Sequence, residues 1–102
     1  MTKAIIEWIP LSQGGRRQPP LGIGHPAYST VVRFLDEPWP PVDTAWSLVV
    51  EKAESLGTDF KWIARVFFLV PEAPQESLQI GRGFELYEGN KRVAIGEICS
   101  ND

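Results

Sequence analysis

The chain has 102 residues, 43% of them hydrophobic and 23% charged, which is the composition of a folded globular protein. This length supports one modest core, so we expect a single domain over residues 1–102. The net charge of -3 excludes the strongly basic character of general nucleic-acid binders. We therefore expect no DNA partner, and any RNA contact has to be local. The lone Cys99 favours a reducing, cytoplasmic setting, and the N-terminal segment is neither a signal peptide nor a membrane span, so we expect no membrane association.

The first half of the chain alternates strand-like runs with loops. A first predicted strand ends near Pro10, with Ile6 and Trp8 on one face. Residues 12–28 contain four glycines and three prolines, which predict a long loop. The next strand covers residues 29–35. A second proline-rich connection follows, in which we expect Trp39 to lie as a lid over the core.

Two further strands are predicted in the middle of the chain. Residues 45–55 could form a helix in their second half, but the alternation of Trp46, Leu48 and Val50 favours a strand. Residues 60–70 are the most hydrophobic run of the chain.

Both faces of this hydrophobic run are apolar. In a barrel one face fills the interior, so Ile63, Phe67 and Leu69 on the other face require cover. We favour cover by the chain's own long loops, and a protein partner is the alternative.

The last predicted element is a hairpin over residues 84–98. Gly89 and Asn90 are residue types that tolerate positive φ and would form its turn. Strict alternation after the turn would bury Ile95 and expose Ile98. We therefore predict a β-bulge at Gly96, which returns Ile98 to the core.

Together these runs give about six strands and no confident helix. They predict an all-β fold, a small closed antiparallel β-barrel.

The residue types that catalysis requires are scarce. No phosphate-binding GxxxxGK[ST] motif occurs, and His25 is the only histidine. A loop histidine before Pro26 is far more often a packing or capping residue than a catalytic one. The chain also lacks a cluster of cysteine, histidine or carboxylate side chains with metal-ligand spacing. We expect no enzymatic activity, no cofactor and no metal site.

Basic residues at two turns are the strongest candidates for recognition. Arg16 and Arg17 follow two glycines, where backbone amides and guanidinium groups can hold a phosphate together. Lys91 and Arg92 follow the hairpin turn, and Arg82 precedes the hairpin, so we expect these three to gather at one end of the barrel. The alternative is that they are ordinary solubilising charges.

Two stretches resemble the C-terminal barrel of elongation factor Tu. "TKAIIEWIPLSQGGRRQPP" and "GHPAYSTVVRF" resemble its first strand, Gly-Gly-Arg loop and second strand, and "GRGFELYEGNKRVAIGEI" resembles its final hairpin. The middle of the chain matches only in the succession of its predicted strands. The resemblance implies a six-stranded antiparallel barrel that contacts the backbone of aminoacyl-tRNA and protein partners.

Individual positions both match this family and depart from it. Its loop and turn residues are matched by Gly15, Arg16, Gly89 and Lys91, and its last glycine is matched by Gly96. The departures are Asn90 for a glycine, Tyr87 for a basic residue and Arg92 for a small polar one. The GTPase domain and the second barrel are missing, so we do not expect a working elongation factor.

The expected function is therefore a non-enzymatic binding module that resembles this third domain and contacts tRNA, another structured RNA or a translation component. The candidate residues are Gly15, Arg16, Arg17, Arg82, Gly89, Lys91 and Arg92. The alternative is a protein-interaction module without a nucleic-acid role, acting by self-association or on a GTPase partner. Its candidate residues are Ile63, Phe67 and Leu69. A barrel for a small ligand is a weaker third hypothesis, since side chains normally fill so small an interior.

Overall fold

A computed structural model describes residues 1–20, 28–37 and 46–101. Within them the chain forms six strands and two short 3-10 helices, Leu11–Gln13 and Gln75–Ser77. The strands are β1 (Thr2–Trp8), β2 (Tyr28–Phe34), β3 (Ser47–Ser55), β4 (Lys61–Phe68), β5 (Gly83–Glu88) and β6 (Lys91–Asn101). The predictions for His25 and Trp39 lie outside the described residues.

The six strands form a closed barrel in the order β1-β4-β3-β2-β5-β6. Every neighbouring pair is antiparallel, and β6 pairs with β1 to close the barrel. The prediction of an all-β, closed, six-stranded antiparallel barrel is confirmed. The ambiguous run is also a strand, β3.

The barrel interior is filled by alternate side chains, because successive residues of a strand point to opposite faces. Ile6 and Trp8 share one face, as predicted, and that face is buried; the inward residues of β4, which begin at Trp62, are buried too. Full burial of one large apolar side chain stabilises the fold by roughly 1.5–3 kcal/mol. The largest fully buried side chains are Trp8, Trp62, Phe84, Ile6, Leu48, Leu86, Ile98, Val50, Val66 and Val93.

The barrel has two different ends, which position the candidate sites. We call the end with the Gly89–Asn90 turn the hairpin end. There the ring of Trp8 packs edge to face against Trp62 and Tyr28, with centroid distances of 4.9 and 5.5 Å. We call the opposite end, where β2 and β4 finish and β5 begins, the far end.

The connection between β4 and β5 closes the far end. Its Ala73 and Leu78 are buried in the core. The Asn101 side chain donates a hydrogen bond to the Leu78 carbonyl at 3.1 Å, which ties this connection to the end of β6.

Strand β6 differs from its prediction. Tyr87 pairs with Arg92 whereas Leu86 pairs with Ala94, so the extra residue is Val93. Val93 and Ala94 are both buried in consequence. The predicted bulge at Gly96 is wrong in position, and Ile95 lies on the outer face, 38% exposed.

Ile98 does reach the core, as predicted. It does so because the shift at Val93 restores regular alternation downstream of it. Gly96 has a different role: a Cβ there would lie 2.5 Å from the Phe84 ring. The glycine therefore makes room for an interior aromatic side chain.

Candidate functional site

The loop after β1 holds Arg16 and Arg17 in place through a close approach of two backbone segments. The amides of Gly15 and Arg16 donate to the carbonyls of Pro10 and Ile9, at 3.0 and 2.8 Å. A Cβ on Gly15 would lie 1.8 Å from the Ile9 carbonyl oxygen, so this position requires glycine. The amides of Gly14, Gly15 and Arg16 donate within the loop, so the paired glycines do not offer these amides to an anion.

Arg16 ties this loop to the hairpin. Its guanidinium donates to the Glu88 carboxylate, and its side chain is 26% exposed. The Tyr28 hydroxyl donates to the same carboxylate at 2.5 Å, and the Arg16 guanidinium lies 5.5 Å from the centre of the Tyr28 ring. Burial and the neighbouring Glu88 carboxylate raise the pKa of Tyr28 well above its ordinary value. The pair is charge-assisted and part-buried, which fixes the position of the loop.

Three cationic side chains surround one depression at the hairpin end. A cavity of about 220 Å³ is lined by Arg16, Arg17, Glu88 and Lys91, together with Gln18. Within the described ranges, no carboxylate pairs with Arg17 or Lys91, and both are exposed. We call Arg16, Arg17 and Lys91 the cationic site. Its three positive charges face one carboxylate, so the site is locally positive on an acidic protein.

The turn of the hairpin places Lys91 in this site. Gly89 has φ 62°, and no described residue other than glycine has a positive φ. A two-residue turn with glycine at its first central position is typical of type II′. Gly89 and Asn90 form the turn, as predicted, and of the two only Gly89 has a positive φ.

Arg92 belongs to a different cluster. It donates to Glu85 at 2.8 Å, and Arg33 donates to the other oxygen of the same carboxylate at 2.9 Å. Burial would raise the pKa of Glu85, but hydrogen bonds from Arg92, Tyr87 and Arg33 lower it overall. The bond to Glu85 likewise raises the pKa of Arg92. Arg92 thus shares one carboxylate with Arg33 and is held on the wall of the barrel.

Arg82 lies at the far end, so the predicted gathering of Arg82 with Lys91 and Arg92 is wrong. In sequence the three precede and follow the same hairpin, but Arg82 adjoins its open end and Lys91 its turn. Arg82 donates to Asp36 at 2.9 Å, and its guanidinium lies 3.8 Å from the centre of the Phe34 ring. Its side chain is only 19% exposed, which is typical of an arginine with a structural role.

The protein-interface candidates lie on the outer face, as predicted. Ile63 is half-buried beside its register partner Ile5. Phe67 is 39% exposed and Leu69 is 56% exposed. The expected cover of these two side chains by the chain's own loops is therefore incomplete.

Sequence reasoning missed how many apolar side chains cluster at the far end. Nine large apolar side chains are exposed among the described residues, and six of them lie at or beside this end. The six are Met1, Leu35, Phe67, Leu69, Val70 and Ile80. Five of the six, all except Phe67, lie outside the strands, where the alternation of residues does not predict which side chains are buried. The available signal was an isolated apolar residue between polar turn residues, as at Ile80.

Within residues 1–20, 28–37 and 46–101, no three His, Cys, Asp or Glu side chains are grouped as a metal site would require. In the same part of the chain, no helix is long and apolar enough to cross a membrane.

The fold and its surfaces define a small closed β-barrel with a cationic site at one end and exposed apolar side chains at the other. Comparison with known proteins gives no further identification: no protein-family model matches the chain, and no curated protein matches it.

Proposed function

We propose that the protein is a non-enzymatic binding module that contacts the phosphate backbone of structured RNA, such as tRNA, through the cationic site. The observation that carries this proposal is the common depression of Arg16, Arg17 and Lys91. These residues come from opposite ends of the sequence, and only the closed barrel brings them together.

The charges of the site support a contact with phosphate. Arg17 and Lys91 are exposed, and Arg16 lies beside them in a salt bridge with Glu88. Arginine binds phosphate through two parallel hydrogen bonds, and lysine acts as a point charge. About three such contacts would give a log–log dependence of affinity on salt with a slope of roughly −2 to −3. The net charge of -3 opposes binding to nucleic acid at large.

The resemblance to the elongation factor Tu barrel supports the same proposal. Gly15, Arg16, Gly89 and Lys91 are the positions that match its loop and turn. A closed six-stranded antiparallel barrel is also the architecture that the resemblance implies. A cytoplasmic location and a translation component as partner belong to this proposal.

The experiment is a fluorescence-anisotropy titration of labelled tRNA with the purified protein at 50 and 200 mM salt, concentrations chosen to span the range over which such contacts weaken. The test variant is Arg17→Glu with Lys91→Glu. The control is Lys3→Glu with Arg65→Glu, which changes the net charge equally on the outer wall of the barrel. We expect salt-sensitive binding that the test variant loses and the control largely keeps. Equal losses in both variants, or no binding by the wild type at low salt, would refute the RNA contact.

A second candidate function is a protein-interaction module, and the exposure of Phe67 and Leu69 favours it. If self-association is the function, sedimentation of the wild type will depend on protein concentration, and Phe67→Glu will abolish this dependence. A wild type that stays monomeric at every concentration would leave a different protein as the partner.

A further inference from the structure

We infer that the far end of the barrel binds a cationic, apolar segment of a protein partner. The surface consists of Leu35, Asp36, Glu37, Glu76 and Ile80, which we call the acidic apolar surface. It is separate from the cationic site, so this inference does not depend on the RNA proposal.

Apolar anchors for a partner are present at this surface. Ile80 is 66% exposed and Leu35 is 57% exposed. Leu35 lies over Gly83, where an added Cβ would come within 2.8 Å of it. Large exposed apolar side chains with a polar rim are typical of interaction sites.

A cavity of about 480 Å³ beside Ile80 gives the surface its shape. It is lined by Asp36, Glu76, Ile80 and Arg82, with Ser77, Gln79 and Gly81 completing its wall. A cavity of this size fits a few side chains of a short segment, whereas a flat globular interface buries about 800 Å² on each partner.

The charge of the surface selects the kind of partner. Three carboxylates, those of Asp36, Glu37 and Glu76, face one cation, Arg82. That cation is already held by Asp36 at 2.9 Å and lies 3.8 Å from Glu37. The Arg82 hydrogen bond lowers the pKa of Asp36, which keeps this carboxylate charged.

The excess of negative charge therefore favours lysine or arginine in the bound segment and opposes phosphate. A second copy that offered this same surface would bring like charges together. A cationic segment of another protein is the occupant that both the charge and the apolar anchors fit.

The test begins with a random peptide library displayed on phage and selected on the immobilised full-length protein. We expect selected peptides that combine lysine or arginine with large apolar residues. A labelled selected peptide is then titrated by fluorescence anisotropy against Ile80→Asp and Glu76→Lys. Each substitution should weaken binding by about tenfold or more if it removes a central contact.

Two matched variants serve as controls for this titration. Leu11→Asp places the same charge on an apolar side chain that is 54% exposed at the hairpin end. Glu54→Lys reverses an exposed carboxylate elsewhere on the barrel. Both should bind within about twofold of the wild type, and thermal melts should show that all four variants fold.

The inference would be overturned if the library yielded no enriched sequence or if acidic peptides were enriched. It would also be overturned if the test and control variants weakened peptide binding equally. Concentration-dependent self-association that Ile80→Asp abolishes would identify a second copy as the occupant and would also overturn it. We expect Ile80→Asp to leave tRNA binding unchanged. A failure of this inference can therefore be told apart from a failure of the RNA proposal.

Discussion

Gly15 and Gly14 are adjacent glycines that the structure requires for different reasons, and Gly15→Ala should be much the more damaging substitution. A Cβ at position 15 would lie 1.8 Å from the Ile9 carbonyl oxygen, whereas a Cβ at position 14 meets nothing within 4 Å. Gly14 has φ 88°, so its substitution costs only the left-handed backbone conformation. That cost is about 1 kcal/mol.

At position 15 the Cβ must move by about 1.6 Å to reach an ordinary contact of 3.4 Å, since 3.4 − 1.8 = 1.6. The obstacle is backbone, so the loop has to separate from Ile9 and Pro10. The two hydrogen bonds that join them are then lost. At about 1 kcal/mol for each bond, with the cost of overpacking added, Gly15→Ala should lower the free energy of unfolding by about 2–4 kcal/mol.

Urea denaturation followed by tryptophan fluorescence measures this difference. The midpoint of Gly15→Ala should fall by about 1 to 2 M relative to the wild type, and that of Gly14→Ala by clearly less. Because the displaced loop carries Arg16 and Arg17, Gly15→Ala should also weaken tRNA binding. Equal midpoints for the two variants would refute the close approach of Gly15 to Ile9.

Three further predictions concern the core and the ionised groups. Ile98→Ala should lower the free energy of unfolding by about 2–5 kcal/mol, because it leaves a cavity in the core. Ile95→Ala should lower it by less than about 1 kcal/mol. Equal losses in urea denaturation would contradict the assignment of Ile95 to the outer face. The pKa of Glu85 is lower in the folded protein than its ordinary value of 4.5, so its ionisation stabilises the fold above that pH and loses this effect as the pH falls through the lowered pKa. The difference in unfolding free energy between wild type and Glu85→Gln should therefore shrink from pH 6 to pH 3, and a difference that grows would refute it. In an absorbance titration at 295 nm, Tyr28 should ionise at a pH well above the ordinary pKa of tyrosine, as a separate late phase. Tyr28→Phe should remove this late phase, and a late phase that persists in the variant would belong to another group.

The strands and most of the core could be predicted from the sequence because the physics that sets them is local. Alternation along β1 predicted that Ile6 and Trp8 share one face, and in the structure that face is buried. A shift of one residue would have exposed this face to water, so the pattern specifies the register strongly.

The bulge in β6 could not be predicted because its position carries no distinctive residue. Glycine is a frequent marker of bulges, and it drew the prediction to Gly96. The actual site is Val93, next to the turn, where two successive apolar residues are both buried. What requires glycine at position 96 is the Phe84 ring, a contact across two strands that no local pattern reveals.

The candidate site was predictable only in part, since ion pairing depends on the fold. The loop arginines and Lys91 were each recognised as candidates, and the closed barrel brings them to one depression. Their counter-charge Glu88 and the partner of Arg92, Glu85, were not recognised as such. Arg82 was misplaced because nearness in sequence to a hairpin does not say which end of the hairpin a residue adjoins.

The two proposed surfaces can be tested independently because the barrel keeps them apart. From Gly83 to Glu88 strand β5 spans roughly 17 Å, at about 3.3 Å per residue. This distance is about twice the Debye length of roughly 8 Å at physiological salt. A charge reversal at Lys91 is therefore screened from Glu76, and any effect of one on binding at the other end would have to pass through the fold.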